Sequence, residues 1–287
     1  MKTGLVLEGG AMRGVYTAGV LDVFMDHDIG FDGVIGVSAG ALFGINLLSK
    51  QKGRVIRYNK KFNSDKNYMG FRPLLKTGNI IDTEYAYYTV PSKLDVFDNE
   101  TFMASKVPFY AVVTNMETGA AEYIQITDAF AQMETLRASA SMPFVARPVE
   151  IGGRRYMDGA VADSIPFEKF LEMGYDRLVV VLTKDADYVK SPVSPFMTKA
   201  VYGRQYARFE KKLRERHSNY NSCVQRLNAL EKEGGLFVIR PSTRIKMSRI
   251  EKNPETLQSM YDLGVKDAGA LLDRLKDYLQ REGAADL

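Results

Sequence analysis

Three observations predict an α/β fold with a mainly parallel sheet. Short apolar runs of strand length occupy Thr3–Leu7, Phe31–Ser38 and Arg177–Thr183, as expected for buried strands of such a sheet. Helical patterns follow the first two runs, over 15–27 and 41–49, so the N-terminal segment predicts a β-α-β-α unit. The 287-residue chain is 45% hydrophobic, which is enough for a sizeable core and argues against disorder.

Two β-hairpins and a helix are predicted in the middle of the chain. The first hairpin pairs Val107–Thr114 with Ala120–Ile126 around a Glu-Thr-Gly turn, and the second spans 149–156 around a glycine pair. Asp128 is a good N-cap residue and predicts a helix that runs to about Ser139. The second hairpin leads directly into an Asp-Gly-Ala sequence that bears on function.

The C-terminal part is predicted to be mostly helical, whereas the stretch 50–100 has no clean period. For that stretch, both a lid over a functional site and a variable surface connection remain open. No linker or internal repeat divides the chain into separate domains. The remaining predicted elements are a helix over Ile165–Met173, mostly helical structure over Ser191–Arg226, a strand at Leu236–Ile239, a closing helix over Pro254–Gln280 and a frayed tail at Arg281–Leu287.

Composition and charge exclude several classes of function. The net charge of +4 and the pI near 8.9 are too weakly basic to indicate nucleic acid, but they are compatible with an anionic surface. Cys223 is the only cysteine, which excludes an internal disulfide and fits a reducing compartment. With one cysteine and two histidines, a zinc cluster is excluded as well.

The sequence shows neither a transmembrane segment nor a secretory leader, which predicts a cytoplasmic protein. Its longest clearly apolar runs, such as Leu178–Leu182, are far shorter than the roughly 18 residues that span a bilayer. Glu8 and Arg13 interrupt the N-terminal apolar stretch, which is too short for the core of a signal peptide. We therefore expect the chain in the cytoplasm, with peripheral membrane contact as an open alternative.

The pentapeptide Gly36-Val37-Ser38-Ala39-Gly40 predicts a nucleophile elbow. It lies between a predicted strand and a predicted helix, which is the context that a nucleophilic serine on a sharp turn requires. Gly36 and Gly40 leave room for the strained turn, and Ser38 stands at a helix N-terminus that favours negative charge. An ordinary strand-to-helix turn remains an alternative, because the pattern alone is weak in a glycine-rich chain.

The glycine-containing loop Glu8–Gly14 follows the first predicted strand, beside the elbow. Its glycines are not spaced as in a dinucleotide fingerprint, and the next strand ends in Ser38 instead of a carboxylate. No Gly-Lys-Ser/Thr sequence completes a P-loop. The favoured interpretation is an oxyanion loop in which the N–H groups of Gly10 and Ala11 bind the oxygen of a tetrahedral intermediate, with a plain tight turn left open. Arg13 either steers an anionic head group or is a surface charge.

Neither histidine is placed to act as the base for the elbow serine. The first predicted helix starts at the top of the sheet, so His27 at its end lies roughly 20 Å away at the bottom. His217 stands among charged residues of a predicted helix and is interpreted as solvated. The remaining candidate is a carboxylate, and Asp158 is followed by the small residues Gly159 and Ala160, which allow close approach. From spacing alone, a β-turn is the favoured interpretation of this Asp-Gly pair.

Three motifs, in this order, resemble the patatin-like phospholipase family: the loop Glu8–Gly14, the elbow Gly36–Gly40 and the sequence Asp158–Ala160. Together they are far more specific than any one of them. The resemblance implies a three-layer α/β/α sandwich around a mostly parallel central sheet. We expect a patatin-like catalytic core over 1–185 and a mostly helical part over 186–287 that packs on the same domain.

The resemblance also implies roles for individual residues. Carried over by motif, Ser38 is the nucleophile and Asp158 is the base of a Ser-Asp dyad. The oxyanion loop comprises Gly9, Gly10 and Ala11, where the alanine stands in place of the family's third glycine. The glutamate that opens this loop is a second departure, because the family more often has aspartate there.

The function that the resemblance implies is hydrolysis of lipid acyl esters, of the phospholipase A or lysophospholipase type, through a covalent acyl-Ser38 intermediate. This chemistry requires no metal or other cofactor. Two alternatives remain open: an acyltransferase that uses the same dyad, and a non-catalytic lipid- or nucleotide-binding module with the same fold. The basic stretch Lys199–Arg216 fits contact with anionic lipid head groups or an ordinary solvated helix. No nucleic-acid partner is expected.

Overall fold

The computed structural model describes residues 1–280 and shows one mixed sheet of eight strands. The predicted tail at Arg281–Leu287 lies outside the described residues. The strands are β1 Thr3–Leu7, β2 Gly33–Val37, β3 Phe109–Asn115, β4 Ala121–Ile126, β5 Val149–Ile151, β6 Arg154–Asp158, β7 Arg177–Val181 and β8 Leu236–Ile239. Their order along the sheet is β5-β6-β3-β2-β1-β7-β8, and β4 pairs with β3.

The sheet is mostly parallel, as the sequence predicts. Strands β1, β2, β3, β7 and β8 pair in parallel. Strands β4, β5 and β6 are antiparallel to their neighbours, and they form the two predicted hairpins, β3–β4 and β5–β6. Because β7 pairs with both β1 and β8, the last strand of the chain belongs to the same sheet as the first.

The described part of the chain has ten α-helices, which cover both faces of the sheet. They are α1 Val15–Asp26, α2 Ala39–Leu48, α3 Arg54–Phe62, α4 Phe71–Thr77, α5 Asn99–Ala104, α6 Met133–Ser139, α7 Phe167–Glu172, α8 Pro195–Thr198, α9 Ala207–Lys232 and α10 Pro254–Gln280. Short 3₁₀ turns occupy Ala11–Gly14 and Gly159–Val161, and π-helical segments occupy Glu84–Leu94 and Lys199–Gly203.

The side chains of β1 show how the three layers form. Successive side chains of a strand point to opposite faces of the sheet. Leu5 and Leu7 belong to the apolar cluster that contains residues of α1, α2 and α10. Val6, between them, belongs to the cluster that contains residues of α7 and α9. Helices therefore pack on both faces of the sheet, which confirms the α/β/α sandwich.

The register of β3 explains why two distant parts of the chain meet at one point. At Val112, β3 pairs with β4 on one edge and with Val37 at the end of β2 on the other. At Val113, β3 again pairs with β4 and now with Asp158 at the end of β6. Strands β2 and β6 therefore lie one after the other along the same edge of β3, and their C-terminal ends, Val37 and Asp158, meet there. The residue after Val37 must lie beside Asp158.

Two regions differ from the predicted elements, and the first is the helix predicted to start at Asp128. Helix α6 begins only at Met133. The Asp128 carboxylate accepts hydrogen bonds from the N–H groups of Phe130 and Ala131 at 2.9 and 3.0 Å. Asp128 thus closes a turn before the helix, because the short Asp side chain satisfies nearby turn amides as readily as helical ones.

The second region is the stretch 50–100, which contains helix α3 and the π-helical segment. The inner face of α3 carries two buried polar side chains, Arg54 and Asn59, beside apolar ones such as Val55. Arg54 is satisfied by hydrogen bonds to Asn46 and to the Asp95 carbonyl. The buried residues Val55, Ile56, Asn59 and Phe62 nevertheless fall at helical spacing, so α3 has a helical period that was not recognised in the sequence. The π-helical segment Glu84–Leu94, which has Pro91 inside it, does not follow the 3.6-residue period of an α-helix.

The C-terminal part is helical but interrupted. The predicted helical stretch Ser191–Arg226 divides into α8, a π-helical segment and α9, with a break around Tyr206, and α9 continues to Lys232. In the described part of the chain, no helix is both long enough and apolar enough to cross a bilayer. The division of the chain near residue 185 remains a prediction.

Candidate active site

Ser38 lies on a strained turn between β2 and α2. Its backbone has φ of 55° and ψ of −121°, in the left-handed half of conformational space that non-glycine residues rarely adopt. The turn requires a small neighbour, because a Cβ at Gly36 would lie 2.5 Å from the Gly40 carbonyl oxygen. The Ser38 N–H donates a 2.9 Å hydrogen bond to Ser139 Oγ at the end of α6. The geometry is that of a nucleophile elbow.

The Ser38 hydroxyl and the Asp158 carboxylate form a direct hydrogen bond. Ser38 Oγ donates to Asp158 Oδ2 at 2.8 Å, and both residues are buried, with 5% and 3% of their surface exposed. The other carboxylate oxygen, Oδ1, accepts the N–H of Ala160 at 2.9 Å. The backbone N–H of Asp158 donates to the Ser141 carbonyl at 2.9 Å. One carboxylate oxygen is therefore fixed by the backbone and the other is left for the serine proton.

Burial raises the pKa of the Asp158 carboxyl above its usual value. The positive charge of Arg216 and the hydrogen bonds from Ala160 and Ser38 oppose this rise but do not cancel it. A carboxylate with a raised pKa is a stronger proton acceptor than an exposed aspartate, whose pKa is about 3.9. The environment thus improves Asp158 as a base for a hydroxyl proton.

His27 lies where the sequence suggests, whereas His217, which was predicted to be solvated, is half-buried and lines a cavity that also contains Ser38. Neither histidine hydrogen-bonds to Ser38 in the described part of the chain. Gly14, at the start of α1, packs against Ala39, next to the elbow. The helix then runs away from the elbow for 12 residues, so the exposed His27 lies at the far end of the sheet. The ring Nδ1 of His217 is 2.9 Å from the Arg214 carbonyl oxygen in its own helix, at the rim of the cavity.

The loop Gly9–Ala11 packs against the elbow. A Cβ at Gly9 would lie 2.9 Å from Ser38 Cβ, so only glycine allows this close approach. Ala11 has φ of 50°, the strained conformation in which the family more often has glycine. Within residues 1–280, no protein acceptor pairs with the N–H groups of Gly9, Gly10 or Ala11. Free donors beside a nucleophile are what an oxyanion site requires.

The N-terminal part of the chain matches a known protein family. Residues 5–171, more than half of the chain, match the model of the patatin-like phospholipase family. The chain belongs to the patatin-like phospholipase family. A second match covers residues 206–280 and is to a domain of unknown function, DUF6363.

Two relatives of this patatin-like chain are described as uncharacterised proteins. It is 28% identical over 195 residues to the uncharacterised protein YjjU of Escherichia coli, which covers 67% of this chain and 54% of YjjU. It is 23% identical over 180 residues to an uncharacterised NTE family protein of Mycobacterium tuberculosis, covering 63% of this chain and 48% of that protein. The chain therefore spans about half the length of the curated relatives it matches.

A solved structure shares the fold of the chain. The crystal structure of VipD from Legionella pneumophila superposes with a TM-score of 0.51 and covers 95% of this chain and 67% of that one. The sequence identity is 14%, so the comparison bears on the fold alone.

Glu8 anchors the patatin-like glycine loop to two other elements. Its carboxylate is fully buried and accepts hydrogen bonds from Thr183 N–H at 2.6 Å and from the Tyr220 hydroxyl at 2.9 Å. It also forms a buried ion pair with Lys184. Burial alone would raise the pKa of Glu8, but Lys184 and these hydrogen bonds outweigh it and hold the pKa below its usual value. An ionised Glu8 thus ties the loop to the end of β7 and to α9.

Two cavities meet at Ser38. The apolar cavity is lined by residues from α2, α3, α6 and the rest of the stretch 50–100. They include Leu42, Phe43, Tyr58, Met69, Ile81, Tyr87, Val90 and Leu136. The polar cavity, of about 490 Å³, lies on the other side and is lined by Gly9, Gly10, Ala11, Arg13, Asp158, Lys184, Lys190, Arg216 and Arg249, among others. Ser38 lines both, so a substrate bound at the serine can extend in two chemically different directions.

Arg13, the predicted substrate-binding residue, lies in the wall of the polar cavity. Within residues 1–280 its guanidinium makes one long hydrogen bond, from Nη2 to the Met247 carbonyl at 3.4 Å. Its role toward a substrate remains a prediction. Among the described residues, no group of three or more His, Cys, Asp or Glu side chains is arranged to hold a metal ion.

Several residues of the site carry no motif and were not anticipated. Ser139 accepts the Ser38 N–H, and Thr114 Oγ1 donates to the Asp158 carbonyl at 2.9 Å. Arg216 was grouped with the solvated charges of its helix. It stands three residues after Leu213 and four before Tyr220, which are both buried. That spacing places Arg216 on the inner face of α9 and was the available signal.

Proposed function

We propose that the chain is a serine acyl-ester hydrolase of the lipid acyl hydrolase type, a phospholipase A or lysophospholipase. The observation that carries the proposal is the 2.8 Å hydrogen bond from Ser38 Oγ to Asp158 Oδ2 on a strained elbow. Membership of the patatin-like phospholipase family supports hydrolysis of lipids as the type of activity. The apolar cavity at Ser38 supports an acyl chain as the group that is transferred.

In the first step Ser38 Oγ attacks the ester carbonyl carbon while its proton passes to Asp158 Oδ2. The carbonyl oxygen becomes an oxyanion, and the free N–H groups of Gly9, Gly10 and Ala11 are the donors proposed to bind it. The hydrogen bond from Ala160 N–H keeps the other carboxylate oxygen in place throughout. No rotation of Asp158 is needed before the proton moves.

The tetrahedral intermediate then collapses and the bond to the leaving alcohol breaks. The proton on Asp158 passes to the leaving oxygen, so the alcohol departs neutral and the carboxylate is restored. The acyl group remains on Ser38 as an ester. Water then attacks this ester while Asp158 takes a proton from it, and the same donors bind the second oxyanion. When the second intermediate collapses, Asp158 returns the proton to Ser38 Oγ and the free fatty acid leaves.

The buried position of the dyad favours this route without an imidazole. The raised pKa of Asp158 brings the base closer to the hydroxyl in proton affinity, and exclusion of water strengthens the electrostatic contribution of the loop N–H groups. Both effects lower the free energy that is needed to remove the proton from Ser38 during the attack.

The direct test compares ester hydrolysis by wild type, Ser38→Ala, Asp158→Ala and His217→Ala on p-nitrophenyl acyl esters and lysophospholipids. We expect Ser38→Ala and Asp158→Ala to lose activity by about a thousandfold or more, because each removes a group that acts in every step. His217→Ala should keep wild-type rates. An active Ser38→Ala enzyme, or an inactive His217→Ala enzyme, would contradict the dyad.

Two alternatives make different predictions in the same experiment. An acyltransferase passes the acyl group from Ser38 to an alcohol, so added glycerol would divert the product from fatty acid to glycerol ester. A non-catalytic binding module would turn over no ester and would leave Ser38 unreactive toward a fluorophosphonate probe. The strained elbow and the paired hydroxyl favour a catalytic site, since strain of this kind persists where function requires it.

We also propose that the exposed face of the basic stretch Lys199–Arg216 contacts an anionic lipid surface. Arg204, Arg208 and Lys211 are exposed there, and Phe196 and Val201 expose 82% and 58% of their surfaces next to them. Exposed aromatic and aliphatic side chains among cations are typical of an interfacial contact. Neutralising the three cations should abolish binding to vesicles that contain anionic lipid; unchanged binding would dismiss this contact.

A further inference from the structure

The polar cavity beside Ser38 carries an excess of positive charge. Six lysine or arginine side chains line it, against two carboxylates: Arg13, Lys184, Lys190, Arg216, Arg244 and Arg249, against Asp158 and Asp187. In a mechanism that needs one carboxylate and neutral N–H donors, most of these cations have no function. Their concentration on one side of the nucleophile requires a separate explanation.

Two of the six cations are neutralised by carboxylates of the chain itself. Lys184 is paired with Glu8 in the buried ion pair, and Arg244 Nε lies 3.7 Å from Asp185 Oδ2. The other four, Arg13, Lys190, Arg216 and Arg249, have no such pair among the described residues. Of these four, Lys190 and Arg216 belong to the loop after β7 and to α9, respectively.

Arg216 is the least satisfied of the cations. Its Nε atom is buried and has no hydrogen-bond partner in the described part of the chain. The Asp158 carboxylate attracts it through space, but no hydrogen bond joins the two. A buried guanidinium donor left without an acceptor is costly, so this site is incomplete without a further acceptor.

Lys190 is held in the same cavity by its backbone. Its N–H donates to Asn221 Oδ1 at 2.9 Å, and its carbonyl accepts from Asn221 Nδ2 at 3.1 Å. Its ammonium lies 4.6 Å from the centre of the Tyr220 ring, with no carboxylate in contact. Burial lowers the pKa of Lys190 to about 7, and the charges of Arg216 and Lys184 act in the same direction. A bound anion would raise the pKa of Lys190, because it would supply a counter-charge.

We propose that Arg216 and Lys190 form a subsite for a phosphate group on the leaving alcohol of the substrate. Phosphate offers several acceptor oxygens and matches the donors of arginine and lysine in charge and geometry. The substrate class is then an acyl ester of a phosphorylated alcohol with a net negative head group, such as 1-acylglycerol 3-phosphate. The acyl chain occupies the apolar cavity and the phosphate the polar cavity, with the scissile ester at Ser38. The ester part of this assignment rests on the proposed function.

The selectivity test uses two substrates that differ only in the phosphate, 1-acylglycerol 3-phosphate and the matching monoacylglycerol, both below their aggregation limits. For wild type we expect a kcat/KM for the phosphorylated ester at least about tenfold higher, because a charge-assisted hydrogen bond contributes about that factor or more. Lys190→Gln should remove most of this preference by lowering kcat/KM for the phosphorylated ester much more than for the monoacylglycerol, on which Lys190 acts only through its weaker electrostatic effect on Asp158. Arg216→Gln should reduce the preference for the phosphorylated ester further. It should also change kcat/KM for both esters, because the charge of Arg216 acts on Asp158.

The matched control is Lys232→Gln, which makes the same charge change at an exposed position in the last turn of the same helix as Arg216. It should keep the wild-type preference. Equal kcat/KM values for the two esters in wild type, or a preference that Lys232→Gln reduces as much as Lys190→Gln, would overturn the proposal.

A binding measurement separates this subsite from the catalytic proposal. Glycerol 3-phosphate is titrated calorimetrically into Ser38→Ala, which cannot turn over substrate, and into the same protein carrying Lys190→Gln or Lys232→Gln. We expect binding that Lys190→Gln weakens about tenfold and Lys232→Gln leaves unchanged. If the wild type cleaves no ester but this binding pattern holds, the proposed function fails and the subsite stands. If esters are cleaved but glycerol 3-phosphate does not bind, the subsite fails alone.

Inorganic phosphate, as a second probe, distinguishes a head group from free phosphate. The head-group assignment predicts tighter binding of glycerol 3-phosphate, because the glycerol moiety reaches toward Ser38 and adds contacts. Inorganic phosphate that binds as tightly as glycerol 3-phosphate would assign the pocket to free phosphate and overturn the substrate class.

Discussion

Two arginines, one in each cavity beside Ser38, show how differently the two walls are built. Arg54 lines the apolar cavity and is fully engaged: it donates from Nη1 to Asn46 Oδ1 at 3.1 Å and from Nη2 to the Asp95 carbonyl at 2.6 Å. Arg216 lines the polar cavity and leaves its buried Nε without a partner among the described residues. Arg54 is part of the scaffold, whereas Arg216 is available to a ligand.

The difference extends to the walls as wholes. The apolar cavity is built mainly from α2, α3, α6 and the π-helical segment, and most of the side chains that line it are apolar, so it can accept a chain that offers no hydrogen bonds. Among its polar lining atoms, Asn59 Oδ1 is buried without a hydrogen-bond partner in the described part of the chain. The polar cavity is built from the loops after β1 and β7, from α9 and from the segment before α10, and its cations exceed its carboxylates. This difference between the walls matches the substrate proposed above, which has one apolar end and one anionic end on either side of Ser38.

The largest effect is expected where the two walls meet. Gly9→Ala places a Cβ 2.9 Å from both Ser38 Cβ and the Val37 carbonyl oxygen, which forces the loop away from the elbow. Loss of a well-placed oxyanion donor should lower kcat by about a hundredfold for every ester, whatever its acyl chain or head group. Steady-state kinetics on two unlike esters checks this. Gly30→Ala, where a Cβ meets nothing within 4 Å, is the matched control. A Gly9→Ala enzyme with normal kcat would contradict the oxyanion role.

The second prediction concerns stability and the contrast between the two arginines. Arg54→Gln removes donors from two buried acceptors and should lower the free energy of unfolding by about 3 kcal/mol. Arg216→Gln removes an unsatisfied buried donor and should cost less than about 1 kcal/mol. Urea unfolding of both variants checks the difference. Equal losses of stability in the two variants would show that Arg216 is also part of the scaffold.

The third prediction tests the apolar wall. Leu42→Asn puts a polar side chain into the apolar cavity, and each buried methylene of an acyl chain is worth about 0.8 kcal/mol there. We expect kcat/KM for an octanoyl ester to fall about tenfold while that for an acetyl ester stays near wild type. Lys190→Gln should leave this dependence on chain length unchanged. A Leu42→Asn enzyme that loses acetyl and octanoyl activity equally would indicate that the chain does not bind in this cavity.

The smallest expected effect is a shift in the pH profile. Asp158 acts as a base only when ionised, so activity is lost as the pH falls through its pKa, which burial raises above the usual 3.9 or so. The charge of Arg216 lowers that pKa, so Arg216→Gln should move the acid limb of kcat/KM to higher pH. The profile is measured on a neutral ester, to keep the phosphate subsite out of the comparison. An acid limb that moves to lower pH would contradict the electrostatic link between Arg216 and Asp158.

The parts of the site that follow strand ends were predictable from the sequence. The glycine loop follows β1, Ser38 follows β2, and Asp158 ends β6, so their positions depend on strands whose apolar patterns and turns are visible in the sequence. The fold class follows from the same strands. The meeting of Ser38 and Asp158 depends on the register of β3, which no pattern in the sequence specifies, and only the resemblance to a family suggested it.

The two walls were not predictable, for two physical reasons. The apolar wall includes the π-helical segment Glu84–Leu94, which has Pro91 inside it and does not follow the 3.6-residue period of an α-helix. In the polar wall, Arg216 differs from its charged neighbours only in the side of α9 on which it lies, and a count of charges along the helix does not separate them. The residues that position the dyad, Ser139 and Thr114, act through hydrogen bonds over long sequence distances and leave no local signal.

The measurement that tests the account most directly is covalent labelling of Ser38. Wild type, Ser38→Ala and Asp158→Asn are incubated with a fluorophosphonate, and the adduct is located by peptide mass spectrometry as a function of time. The account predicts one adduct, on Ser38, that forms rapidly in wild type, much more slowly in Asp158→Asn and not at all in Ser38→Ala. An adduct on another residue, or labelling of Ser38 at the same rate in Asp158→Asn as in wild type, would contradict the claim that Asp158 activates Ser38.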